Sequence, residues 1–182
     1  TMAEAVAPRL ETITGGRVYL RIISNLAIYR MTKAKARWPK EFLGGEEVVD
    51  GILEAFAFAA ADPFRTATHN KGIMNGIDPV VIATGNDWRA IEAAAHAYAA
   101  RDGKYKALTQ WYPSEEGDLV GEIEIPMKVG TVGGSLETNP SVKINHRLLG
   151  SPNASELASI LATVGLAQNF AALRALSTDG IQ

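Results

Sequence analysis

From Leu119 to Val129 the chain alternates in a strict period of two. Ile123, Ile125, Met127 and Val129 take one phase, and Glu122, Glu124 and Lys128 take the other. That pattern belongs to a strand with one face on a core and one face in water. Such a strand needs a neighbour. Lys106 to Tyr112 supplies one across the turn-rich Pro113-Ser114-Glu115-Glu116-Gly117-Asp118, so a hairpin is expected. The flanking segments carry the helical period instead. In Glu46 to Ala61, Val48, Val49, Ile52, Phe56 and Ala60 recur at helical spacing and Pro63 closes the run. In Trp88 to Arg101, Trp88, Ile91, Ala95 and Tyr98 share a face, with Asn86 or Asp87 as cap and Asp102-Gly103 as the stop. Strands and helices that do not alternate as βαβ units predict an α+β fold.

The remaining segments fill in this outline. Met2 to Thr14 reads as a helix ended by Gly15-Gly16, with Pro8 marking a kink or the true start. Arg17 to Ser24 is β-branched and aromatic, and reads as a strand. Ala27 to Ala36 reads as a second, half-exposed strand, where Arg30, Lys33 and Lys35, with Arg37 just beyond, form a solvated face rather than an anion patch. Thr68 to Gly85 carries the stripe Ile73, Met74, Ile77, Val80 and Val81, but Gly72, Gly76 and Pro79 oppose a helix. A buried, interrupted helix is expected there, with the two glycines letting another backbone approach closely. Asn153-Ala154-Ser155-Glu156 has the form of a capping box ahead of Leu157, Ile160, Leu161 and Val164. The same residues match a glycosylation sequon, but the cap is the better reading. A last helix is expected from Leu166 to Leu176, ending near Asp179-Gly180.

Several function classes are unlikely on composition. The 182 residues suffice for one domain, or for one domain and a piece of another. A net charge of −2 does not suit a nucleic-acid partner. The absence of cysteine removes disulfides, thiol nucleophiles and Cys-ligated zinc, and is compatible with a reducing cytoplasm. His69, His96 and His146 are scattered without an HExxH pair, so no metal site is expected. Ala55 to Ala61 is taken as the longest apolar run, well short of the ~18–20 residues of a membrane span. Thr1 to Val6 has neither the basic nor the apolar region of a signal peptide. Gly130-Thr131-Val132-Gly133-Gly134 matches neither a dinucleotide fingerprint nor a P-loop, and reads as a turn.

Candidate chemistry concentrates between Asp62 and Arg89. A helix would put Lys71 and Asn75 on one face. If Lys71 is buried it needs a carboxylate, and Asp78 and Asp87 are the nearest. On spacing alone the structural readings are preferred: Lys71 as a surface lysine and Asp87 as a helix cap.

The segment Thr68-His69-Asn70-Lys71-Gly72-Ile73-Met74-Asn75-Gly76-Ile77-Asp78, followed by Ala83-Thr84-Gly85-Asn86-Asp87-Trp88-Arg89-Ala90, resembles the central motif of class II hydroxymethylglutaryl-CoA reductases. The likeness extends through Thr1 to Pro8, Ser24 to Ala27, Val129 to Gly134 and Gly165 to Asn169, in the family's order. Class I enzymes differ around the lysine and aspartate. The resemblance implies an oxidoreductase that interconverts hydroxymethylglutaryl-CoA with mevalonate and CoA, using two equivalents of NADH or NADPH. Lys71 matches the lysine that stabilises the oxyanions, and Asp87 the aspartate that holds it. Arg65 matches the arginine for the substrate's free carboxylate, Thr68, Asn75 and Gln168 match positions around the substrate, and Asn25 matches an asparagine near the cofactor. The family's catalytic glutamate, catalytic histidine and dinucleotide turn find no match in this chain. An internal piece of a longer enzyme, inactive by itself, is therefore expected. Residues 1–24 would end a small non-Rossmann cofactor domain, and 25–182 would belong to a large helical and mixed substrate domain. The resemblance further implies a cytoplasmic homodimer with active sites at the interface. Two alternatives stay open: a lyase using Lys71 as a Schiff base, and a non-catalytic CoA-ester-binding or dimerisation module.

Overall fold

The computed structural model describes residues 2–178 and Gly180. Its elements run α1 (Met2–Thr14), β1 (Met31–Trp38), α2 (Lys40–Leu43), α3 (Glu46–Ala61), α4 (Pro63–Ala83), α5 (Trp88–Ala99), β2 (Thr109–Pro113), β3 (Leu119–Pro126), α6 (Ser135–Thr138), α7 (Pro140–Leu148) and α8 (Ala154–Ser177). The fold is α+β. The expected hairpin forms, and β1 adds to its other side to give an antiparallel sheet ordered β1-β3-β2. The alternation in β3 explains the arrangement. Ile123 and Ile125 enter the core, while Glu122 and Glu124 face outward opposite Lys35 and Lys33. The resulting ion pairs span 2.7 and 3.0 Å. Arg37 pairs with Asp118 and Glu116. The basic residues of β1 are thus a solvated, neutralised face, as their pattern implied.

Four expectations about elements need correction. Arg17 to Ser24 forms no strand: strand propensity needs an edge to bond, and among the described residues no strand pairs with it. Tyr19, Leu20, Ile22 and Ile23 are exposed along this extended run. The strand expected from Ala27 starts at Met31. The interrupted helix is in fact one continuous 21-residue helix that begins earlier, at Pro63. Asp62 starts it by accepting the Arg65 N–H at 2.8 Å, with Pro63 in the first turn where its missing N–H costs nothing. Pro79 forfeits one hydrogen bond, and the helix runs through it. Likewise the capping-box helix and the last helix are a single 24-residue α8, with the box formed as expected; Asp179 lies outside the described residues. Helix α7 was not foreseen, although Asn139-Pro140 is a start signal and Asn139 does cap it.

Glycine decides how α4 meets α8. A Cβ on Gly76 would stand 2.8 Å from the Gln168 Cβ and 3.1 Å from the Val164 carbonyl oxygen. A Cβ on Gly165 would stand 2.7 Å from the Ile77 Cδ1. The two backbones therefore touch at this crossing. Gly72 has open space instead, so only one glycine of the expected pair serves the contact. Helix α8 is also long and apolar enough, by length and composition, to cross a membrane, contrary to the expectation that no stretch was. Its Leu157, Leu161, Leu166 and Leu173 lie in the core with Ile73 and Ile77 of α4 and Ile123 of β3.

Candidate active site

Beyond the Gly76 contact, α4 and α8 diverge and leave a groove of about 520 Å³. From α4 the side chains of Arg65, Thr68, Lys71 and Asn75 line it, at the three- and four-residue steps that keep them on one face. Gln168 lines it from α8. Ala171, Ala172 and Leu176 supply an apolar wall. Among the described residues no carboxylate lines the groove, and neither Arg65 nor Lys71 makes an ion pair. Two unpaired cations over a part-apolar cleft suit an anion with an apolar body. Lys71 is exposed, so it does not need the buried partner considered above.

Asp87 and Asn25 lie elsewhere. Asp87 caps α5, its Oδ1 accepting from the N–H groups of Arg89 and Ala90 at 3.1 and 3.2 Å. It remains 58% exposed. Twelve residues of α4 separate Lys71 from Ala83, roughly 18 Å of helix axis at 1.5 Å per residue. Helical side chains lean toward the N-terminus, so Lys71 leans away from Asp87. Within one chain the two do not meet. The loop bearing Asp87 is nevertheless held firmly. The Asn86 side chain donates to the Gly130 carbonyl at 3.1 Å and accepts its N–H at 2.8 Å, tying the end of α4 to the glycine run. Asn25 is exposed on the segment before β1.

Sequence reasoning passed over His69 and Asn169. Both are buried at 2% exposure, and both reach the groove from below. Their one advance signal was position, beside Thr68 and Gln168. Among the described residues no group of three or more His, Cys, Asp or Glu could hold a metal.

Asp78, considered as a partner for Lys71, turns to α5 and hydrogen-bonds Glu92. Its Oδ1 is buried without a partner. Burial first, then the hydrogen bond to Glu92, raises its carboxyl from the ordinary 3.8 to about 7. Between those values the folded chain holds a proton that the unfolded chain has lost, so the contribution of Asp78 to stability falls as pH rises through the window. From about pH 5 to about pH 8 the loss should be on the order of 1 kcal/mol, small because the pair is partly solvated. Asp78→Asn should remove this contribution, so that its stability falls less, or rises more, than the wild type's between the two pH values. Urea midpoints at both pH values measure it, and equal slopes for the two proteins would mean that Asp78 carries no such proton.

The profile of the family described as hydroxymethylglutaryl-coenzyme A reductase matches residues 1–182. The 3-hydroxy-3-methylglutaryl-coenzyme A reductase of Archaeoglobus fulgidus is 64% identical over 182 residues, which cover all of this chain and 42% of that protein. A probable reductase of the same name from Borreliella burgdorferi is 41% identical over 189 residues, covering all of this chain and 43% of the relative. Among solved structures, the reductase of Streptococcus pneumoniae superposes with a TM-score of 0.92 at 51% identity, over all of this chain and 45% of that one. A class II enzyme from the same organism, bound to NADPH in open conformations, gives 0.91 at 51% identity over 97% of this chain and 50% of its own. This chain spans less than half the length of the two sequence relatives.

Proposed function

Because the chain belongs to the hydroxymethylglutaryl-coenzyme A reductase family, we propose that it carries the acyl-binding part of an oxidoreductase that interconverts hydroxymethylglutaryl-CoA with mevalonate and CoA. The observation that supports this most is the groove between α4 and α8, which gathers Arg65, Thr68, Lys71, Asn75 and Gln168. In this reading the Arg65 guanidinium binds the free carboxylate of the acyl group through a two-pronged hydrogen bond. The Lys71 ammonium faces the reacting carbonyl, where negative charge develops first in the thiohemiacetal and then in the aldehyde step. A fixed cation there lowers the transition state more than the ground state. Thr68, Asn75 and Gln168 orient the acyl chain with neutral hydrogen bonds.

A nicotinamide cofactor, NADH or NADPH, would supply the hydrides when bound. Asn25 fits a part in holding it, since its amide is exposed and offers both a donor and an acceptor. Residues 1–24 would complete the cofactor domain, a division favoured by the exposed apolar side chains of Tyr19, Leu20, Ile22 and Ile23. Asp87 would reach Lys71 across a homodimer interface, from the partner subunit, since the two stand apart within one chain. Imine-forming lysines are activated by apolar burial or a neighbouring cation. Lys71 is exposed, which favours the oxyanion role over the lyase reading.

The test is oxidation of NADH and of NADPH, measured separately, by the longer reductase that contains this chain. Two equivalents should be consumed per mevalonate, and none without hydroxymethylglutaryl-CoA. The 182 residues alone should be inactive, because no residue here matches the family's glutamate or histidine. No substrate-dependent oxidation with either cofactor in the longer protein would overturn the proposal.

A further inference from the structure

Below the groove, three side chains from three elements close a ring of hydrogen bonds. His69 Nε2 lies 2.7 Å from the Thr109 Oγ1. The Thr109 hydroxyl donates to the Asn169 Oδ1 at 2.9 Å. The Asn169 Nδ2 lies 3.4 Å from the His69 Nδ1. A fourth group fixes the direction of every bond. The Trp111 indole N–H can only donate, and it donates to the same Asn169 oxygen at 2.9 Å. The amide oxygen must therefore face Trp111 and Thr109, which turns the amide NH2 toward His69. Nδ1 accepts, so the single proton of a neutral imidazole sits on Nε2 and is given to Thr109. One arrangement of hydrogens satisfies all four residues, and each of them is at most 4% exposed.

The ring ties α4 to β2 and to α8 at the foot of the groove. His69 follows Thr68 and is two residues from Lys71, and Asn169 follows Gln168. Around His69 stand Phe56 of α3, with ring centroids 6.0 Å apart, Thr109 of β2, Asn169 of α8, and Arg65 of its own helix. None of these is a carboxylate. Burial foremost, and then the Arg65 charge, lowers the imidazole to about 4. A second proton on Nδ1 would point a donor at a donor and open the ring.

We propose that His69, held as the neutral Nε2–H tautomer by Asn169 and Thr109, is a positioning residue that fixes the α4 wall of the groove against its α8 wall for acyl-CoA binding. The proposal rests on the reductase reading given above.

Asn169→Asp tests it in the longer reductase. The carboxylate keeps the shape but can only accept, so it should draw a proton onto Nδ1. Nitrogen-15 NMR of the labelled histidines reads this directly. In the wild type the His69 ring should stay in one tautomer from about pH 8 to about pH 5.5, below the usual imidazole range. In Asn169→Asp, Nδ1 should be protonated over that range. Thr109→Val removes the hydroxyl that joins His69 to Asn169 and so opens the ring; KM for hydroxymethylglutaryl-CoA should then rise about tenfold or more while kcat changes less than about threefold, because the walls are displaced and not the reacting groups. His69→Gln keeps a donor for Thr109, so it should raise KM less than Thr109→Val does. If Asn169→Asp does not fold, the wild-type spectrum and the KM values of Thr109→Val and His69→Gln still decide the matter. A wild-type His69 with its proton on Nδ1, or a Thr109→Val protein with lower Tm but unchanged KM, would overturn the proposal. A wild-type protein that oxidises no cofactor with hydroxymethylglutaryl-CoA would remove the reductase reading and the positioning role with it. The NMR spectrum distinguishes that outcome from a ring wrongly assigned.

Discussion

Lys71→Ala, made in the longer reductase that contains this chain, should lower kcat at least about 100-fold, as loss of a donor to a developing oxyanion does. Lys71 is exposed on the groove wall and, among the described residues, forms no ion pair. Its charge is therefore available to a ligand. Arg65 lies six residues earlier on the same helix, about 9 Å along the axis. The six-carbon acyl group, five of its carbons in one chain, fits between an anchor at one end and a cation at the other, with two long side chains reaching toward it. Removing the cation at the reacting end should leave binding through Arg65 largely intact, so KM should change far less than kcat. Asp87→Asn separates the two readings of that residue. As a helix cap alone Asn serves nearly as well as Asp, and kcat would hardly move. As the lysine's partner Asp87 is irreplaceable, and kcat should fall with little loss of stability. The double variant should then be scarcely worse than Lys71→Ala, since residues that act as a unit are not additive. Additive losses would return Asp87 to a structural role.

Patterns that depend on nearest neighbours were legible in the sequence. The alternation expected from Leu119 to Val129 became β3 as far as Pro126, and the stripe of Glu46 to Ala61 and the Asn153 capping box became α3 and the start of α8. Expectations failed where distant partners decide. Arg17 to Ser24 has strand propensity but, among the described residues, no edge to join. Gly76 opposes a helix by propensity until it is seen, with Gly165, as the point where α4 and α8 touch. Local propensity assigns them a cost of ~1 kcal/mol, which tertiary packing overrides. The site divides in the same way. The helical spacing of Lys71 and Asn75 was readable, and the resemblance named Arg65, Thr68 and Gln168, all of which face the groove. That Lys71 and Asp87 stand apart was not readable, because sixteen residues of separation say nothing of direction until the length of α4 is known. The ring beneath the groove was least visible, since His69, Thr109 and Asn169 are separated by 40 and 60 residues.

Arg65→Ala in the longer enzyme should weaken binding of hydroxymethylglutaryl-CoA by about 2–5 kcal/mol, roughly 30-fold or more in Kd. The structure adds an expectation that points the opposite way for stability. The Arg65 backbone N–H is tied to the Asp62 cap, but its guanidinium has no anionic partner among the described residues. It sits in the first turn of α4, at the positive end of the helix dipole. It also disfavours charge on His69. A cation held among positive potentials stabilises nothing in the empty protein, and a bound carboxylate relieves the repulsion. Arg65→Ala should therefore leave Tm unchanged or slightly raised while affinity collapses, the pattern of a site kept for binding at the expense of stability. Arg65→Lys should recover only part of the affinity, because an ammonium cannot reproduce the two parallel bonds of the guanidinium. Calorimetric titration with the CoA ester, paired with thermal melts of the ligand-free proteins, measures both quantities. Unchanged affinity would show that Arg65 does not hold the carboxylate. A large fall in Tm alongside weaker binding would mean that Arg65 supports the fold, with the loss of affinity following from that.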